Sequence, residues 1–153
     1  MNIKFSRMHQ LIESFISSKK IALVGFSRSG KKFGNMAAKE LVKRGYVIYP
    51  VHPDVSEIEG MICFPDLKVL NGKTDALLIS IPPTKVSPVL QEAAQNGFRK
   101  IWLQQGSWSK EVQETADQLG LQVVCKKCIL MYAPPVNSIH KFHRTIKSIF
   151  GGL

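Results

Sequence analysis

The sequence predicts an α/β fold: a mainly parallel five-stranded sheet with helices packed on both faces. The expectation rests on the order of its apolar segments. Short, nearly continuous apolar runs centre on Ile21, Ile48, Leu78, Trp102 and Val123. Between them lie stretches of about a dozen residues with apolar positions at helical spacing. Gly or Pro marks most of the junctions. Strands that alternate with helices are joined by right-handed crossovers, and crossovers of that kind build a parallel sheet.

Taken in order, residues 5–18 place Phe5, Met8, Leu11, Ile12, Phe15 and Ile16 at helical spacing, an amphipathic helix that covers the core. Residues 20–26 form the first strand, whose Ile21, Leu23 and Val24 suit burial on both faces. Residues 34–44 read as a helix with Met36, Ala37, Leu41 and Val42 turned inward and Gly45 as its stop. Residues 46–51 make the second strand, closed by Pro50 and Pro53. Residues 54–72 are less regular, with a short turn near Glu59 and Gly60 and then a helical turn. The third strand, 75–81, ends at Pro82 and Pro83, and Thr84 is placed to cap the helix that runs through Val86, Val89, Leu90 and Ala93. A fourth strand covers 100–104. A helix over 110–119 stops at Gly120, and the fifth strand covers 121–125. Beyond Ala133, Pro134 and Pro135, an apolar stripe of Val136, Ile139, Phe142, His143, Ile146, Ile149 and Phe150 marks a helix over about 136–150. No repeat or linker interrupts the chain, so residues 1–153 are expected to form one domain with its core in about 17–130.

Composition narrows the function. The 153 residues carry 21 Lys and Arg against 11 Asp and Glu, a formal charge of +10. This balance favours an anionic partner: a phosphorylated small molecule, a nucleic acid or an acidic surface. Three cysteines are too few for a disulfide framework, and no segment reads as a secretory signal or a membrane span. A cytoplasmic location is expected.

The chemistry is expected in the loop after the first strand. Gly25, Ser27 and Gly30 keep the spacing of a Gly-x-Gly-x-x-Gly fingerprint, with Ser in place of the second Gly, and Lys31 and Lys32 follow. A strand that turns sharply into a helix aims backbone N–H groups and the positive helix end at a bound anion. Ligands of open α/β sheets lie beyond the carboxyl ends of the strands. Here those ends are 25–35, 50–53, 80–83 and 104–107, rich in Gly, Pro, Ser or amides and poor in acids. A nicotinamide dinucleotide site usually carries an acid at the end of its second strand, whereas this chain has Val51, His52 and Pro53. Lys32 also stands where a nucleotide-hydrolysing loop needs a magnesium-binding hydroxyl.

The 24–35 loop, Tyr49 to Pro53, Glu59-Gly60, Ile81 to Pro83, Ile101 to Gly106 and Cys128 together resemble the stand-alone CoA-binding domain family, whose members are similar to the N-terminal domain of the succinyl-CoA synthetase α subunit. The resemblance covers about residues 17–130. It implies a Rossmann-like three-layer fold that binds coenzyme A or an acyl-CoA. It further implies that Gly25, Phe26, Ser27, Arg28, Lys32, Phe33, Gly34 and Asn35 form the phosphate-binding loop. Val51, His52 and Pro53 would border the nucleotide. Ile81, Pro82, Pro83, Gln104, Gln105 and Gly106 would line the path of the pantetheine arm. The synthetase has a basic residue soon after its second strand; this chain has His52, and Arg28, Lys31 or Lys32 would supply the charge instead.

No nucleophile, base and acid fall at a recognisable spacing, so catalysis by this chain alone is not expected. Binding as a sensor, carrier or regulatory module is the first reading. An NADP- or other nucleotide-dependent enzyme is the alternative. A nucleic-acid binder, suggested by charge alone, lacks the aromatic and basic stripe of an RNA module. Cys125 and Cys128 with His140 and His143 give a zinc-like inventory, but the His spacing is short, and no metal site is expected. Lys126 and Lys127 between the cysteines favour thiolate, and Cys128 is a candidate to meet the CoA thiol. The 136–150 helix could fold back on its own domain, join a dimer or partner protein, or lie on a membrane surface, with Lys141, Arg144 and Lys147 away from the centre of its apolar stripe; packing on its own domain or a second copy is the expected reading.

Overall fold

The computed structural model describes residues 3–136, with side chains from residue 7 onward. The terminal helix expected over about 136–150 therefore lies outside the described residues.

Helix α1 (Ile3–Ile16) leads into β1 (Lys20–Val24), α2 (Phe33–Lys43) and β2 (Val47–Val51). A two-stranded hairpin follows, β3 (Glu57–Ile58) and β4 (Met61–Ile62). Then come β5 (Ala76–Ile79), α3 (Val86–Gln95), β6 (Lys100–Gln104), α4 (Lys110–Gln118) and β7 (Val123–Lys127). The main sheet has five strands in the order β2-β1-β5-β6-β7, and every pairing in it is parallel. The expected α/β architecture is thus present.

Alternation along the strands supplies the two cores. Ile21 and Leu23 of β1, Leu78 of β5 and Trp102 of β6 face α1 and α2. Ala22, Leu77, Ile79, Ile101 and Leu103 face α3 and α4. Because both faces are covered, the strands read as unbroken apolar runs. Trp102 is fully buried between Phe15 and Tyr132, with ring centroids 5.3 and 5.8 Å away.

The segment after β7 doubles back over the α1/α2 face as a strap. Ile129 N–H donates to Gln104 Oε1 at 3.0 Å. Arg44 Nη1 donates to the carbonyls of Leu130 and Ala133, and Val136 N–H donates to the Arg44 carbonyl at 2.7 Å. The buried Tyr46 hydroxyl lies 3.0 Å from the Pro134 carbonyl and 3.2 Å from that of Ile16. Burial pushes the Tyr46 phenol up to about 12, against the opposing charge of Arg44.

Several expectations need correction. β1 ends at Val24, and Phe26 leaves the strand to bury itself in the core. Met36 and Val42 face solvent; Ala37, Ala38 and Leu41 make the buried stripe of α2. Thr84 sits inside a single 3-10 turn, Pro83–Lys85, and no side chain caps it. The last strand runs Val123–Lys127, two residues later than expected, with a register irregularity against β6. The turn near Glu59 is a true hairpin, with Glu59 itself at φ 50 and Gly60 at φ 80.

Candidate functional site

Strand β1 is the switch point of the sheet. It pairs with β2 on one side and β5 on the other, and the helices that follow β1 and β5 lie on opposite faces. The two outgoing loops diverge there and leave a crevice at the carboxyl edge. The 25–32 loop crosses this crevice.

Two glycines let the loop sit so low. Gly25 has φ 125, and a β-carbon on it would overlap the carbonyl of Ser80 at the end of β5. A β-carbon on Gly34, in the first turn of α2, would overlap the Gly25 carbonyl. Asn35 is fully buried, and its side chain grips the loop. Its Nδ2 donates to the Ser27 carbonyl at 2.9 Å, and its Oδ1 accepts from Ser27 N–H at 3.0 Å. The Ser27 and Ser29 hydroxyls lie 3.0 Å apart. Ser27 Oγ accepts from Ser29 N–H, and Ser29 Oγ accepts from Lys31 N–H. The first turn of α2 has no side-chain cap, since Lys32 holds the N-cap position. Arg28, Lys31 and Lys32 are exposed around this loop.

At the end of β2, His52 N–H donates to the Phe64 carbonyl at 2.9 Å, and His52 Nδ1 accepts from Asp54 N–H at 3.1 Å. A cleft of about 310 Å³ opens beside it, lined by His52, Pro53, Asp54, Val55, Cys63 and Pro65 among others. Arg28 Nη2 approaches Asp54 Oδ2 at 3.8 Å, so the two regions meet across the crevice.

Beyond β5 and β6, Ile81 and Pro83 are half-buried and Pro82 is exposed. Gln105 and Gly106 are exposed, while Gln104 is buried and engaged with Ile129. Ser107 is buried, and its Oγ accepts from Ile81 N–H at 3.2 Å, tying the β6 end to the β5 end. Lys126 Nζ stands 4.1 Å over the Trp108 ring nearby.

The four expected groups of residues therefore share one edge of the sheet, but in two roles. Ser27, Arg28, Lys32, His52, Pro53, Pro82, Gln105 and Gly106 reach its surface. Phe26, Gly34, Asn35 and Gln104 are buried and shape it. Sequence reasoning missed the Ser107 tie and the Arg28–Asp54 approach. The expectation for Cys125 also changes. Burial pushes the Cys125 thiol up, and this outweighs the opposing pull of Lys126 and Lys127. Burial raises the Cys63 thiol as well. Among the described residues no three His, Cys, Asp or Glu side chains gather as metal ligands; His140 and His143 lie outside them. No described helix is long and apolar enough to cross a membrane.

A family model described as a CoA binding domain matches residues 19–134. The chain belongs to the CoA-binding domain family. Its match spans the whole sheet and the strap as far as Pro134. The chain is 29% identical over 112 residues to the Bacillus subtilis protein YneT, itself named as uncharacterized, covering 73% of this chain and 83% of that one. It is 26% identical over 125 residues to ADP-forming acetate–CoA ligase II of Archaeoglobus fulgidus, covering 79% of this chain but 19% of the ligase. Among solved structures, a conserved hypothetical protein of Pyrococcus furiosus superposes with a TM-score of 0.69 at 35% identity, covering 73% of this chain and 97% of that one. The family is thus related to the CoA-binding domains of ADP-forming CoA ligases.

Proposed function

We propose that this domain binds coenzyme A or an acyl-CoA across the carboxyl edge of the sheet, as a sensor, carrier or regulatory module rather than a complete enzyme. The observation that carries the reading is the buried Asn35 clasp on Ser27. It fixes a tight loop at the switch point, ahead of an uncapped helix start, with Arg28, Lys31 and Lys32 exposed around it. Such a loop suits a diphosphate: the Ser27, Ser29 and Lys31 N–H groups are engaged in shaping it, and the uncapped N–H groups at the start of α2 and the Arg28 guanidinium offer charge-assisted bonds. Family membership supports CoA over other diphosphates.

On this reading Ser27, Arg28 and Lys32 hold the diphosphate. Val51, His52 and Pro53 border the nucleotide at the β2 cleft. The surface from Ile81 to Pro83 and at Gln105 and Gly106 receives the pantetheine arm. The relative named as a ligase is about five times longer than the matched segment, so most of that ligase's chain has no counterpart in the match.

Thermal shift and calorimetry with CoA, NADP, NAD and ATP test the assignment, because a ligand specific to the folded state raises the melting temperature once its concentration passes Kd. CoA is expected to give the largest shift. A response to NADP with none to millimolar CoA would overturn the reading.

A further inference from the structure

The β3–β4 hairpin lies against the loop assigned to the ligand phosphates. Glu59, at its tip, is a non-glycine residue at φ 50, a left-handed conformation that L side chains seldom adopt. That backbone directs its carboxylate onto the loop: a β-carbon on Gly30 would overlap Glu59 Oε1. The other oxygen, Oε2, forms an ion pair with Lys39 Nζ in the second turn of α2. A second carboxylate of the same segment, Asp54 at its other end, approaches Arg28 at 3.8 Å. The β2–β3 connection and the hairpin thus present two carboxylates to two of the cations around a loop built for anions.

We propose that the 54–60 segment is a built-in competitor: the Glu59 carboxylate occupies the Gly30 side of the loop while no ligand is bound, and an incoming phosphate must displace it. Two features support a latch rather than incidental surface charges. The contact uses the position where Gly30 (φ 72) has no side chain, so a carboxylate fits where any other residue would exclude it. The hairpin also fixes the tip: the two-residue link between Ile58 and Met61 requires positive φ at both Glu59 and Gly60, so the turn itself holds Glu59 against the loop. Displacement of Glu59 frees Lys39 for the ligand. The ligand then gains a cation and loses a competitor in one movement. This inference rests on the proposal that the loop binds CoA phosphates, and it adds how that site is controlled.

Calorimetric titration of CoA into the intact chain and into Glu59→Gln tests it. Gln keeps the size of the side chain and removes the charge, so CoA binding is expected to tighten about three- to tenfold. Inorganic pyrophosphate should show the same gain. Glu57→Gln, which removes the same charge from the same hairpin but has no contact with the loop among the described interactions, serves as the control and should leave the affinity within about twofold. Unchanged or weaker CoA affinity in Glu59→Gln, with the intact chain binding normally, would overturn the latch. An equal gain in Glu57→Gln would reduce the effect to net charge and also overturn it. If the intact chain and both variants bind no CoA, the binding assignment fails, and the latch with it.

Discussion

Asn35 holds Ser27 by both ends of its amide, donating to the carbonyl at 2.9 Å and accepting from the N–H at 3.0 Å. This one fully buried side chain sets the shape of the loop eight residues before it. Asn35→Ala leaves a backbone donor and an acceptor unpaired, and each unpaired buried group costs about 1–3 kcal/mol. The urea midpoint is expected to fall with an unchanged m value. Asn35→Asp, which keeps the acceptor but sets a buried carboxylate oxygen against the Ser27 carbonyl, should fall at least as far.

Gly25 and Gly106 both have positive φ, at 125 and 94, but they differ in their surroundings. Nothing lies within 4 Å of a β-carbon on Gly106, whereas on Gly25 it meets the Ser80 backbone. Gly106→Ala is expected to cost backbone strain alone, about 1 kcal/mol. Gly25→Ala adds a clash with a central strand that cannot move aside, for roughly 3 kcal/mol or more. Melting temperatures of the two variants should rank in that order; equal values would show that the loop can lift off β5.

Arg28 is two-thirds exposed, and its approach to Asp54 is equally exposed, so it adds little to stability. Arg28→Ala should shift the unfolding free energy by no more than about 0.5 kcal/mol. Its loss of CoA affinity should reach about tenfold, as expected for a charge-assisted phosphate contact. Calorimetry and thermal unfolding on the same sample separate the two effects.

The Tyr46 phenol, pushed up to about 12 by burial, gives a specific alkaline signature. A folded pKa above the unfolded value of about 10 means the folded state keeps the proton longer. The stabilisation is complete below pH ~10 and is lost as pH rises towards the folded value. Tyr46→Phe should cost about 1 kcal/mol at neutral pH through the lost hydrogen bond. It should also flatten the alkaline fall in stability, read by chemical unfolding across that range.

The legible parts of the fold are those set by local pattern. β6 was expected and found at Lys100–Gln104, because a continuous apolar run in a central strand has one reading. β7 slid by two residues because it is an edge strand. There Leu121 is apolar yet precedes the strand, while Lys126 and Lys127 are charged yet lie within or at the end of it. Met36 and Val42 face solvent because the α2 stripe is made of small residues, Ala37 and Ala38, which composition alone does not favour over larger ones. In the site, the loop and the strand ends could be read from Gly, Ser and Pro. The Glu59 contact with Gly30 could not, since it depends on a left-handed turn at a residue with no local preference for it. The Ser107–Ile81 tie escaped for another reason: a pairing 26 residues apart leaves no periodic trace.

The strap after β7 has a consequence for how the molecule opens. Edge strands normally fray independently and ahead of the centre. Here the peptide that leaves β7 is bonded to Gln104 on β6, then to Arg44 and Tyr46 beside the start of β2. The two outermost strands are therefore fastened to each other by a single run of 129–136, like the two ends of a belt. Neither edge can peel away without straining the fastening at the other. Amide exchange in β2 and β7 should accordingly follow one shared opening event rather than two local ones, and a peptide-bond cut inside the strap should uncouple them.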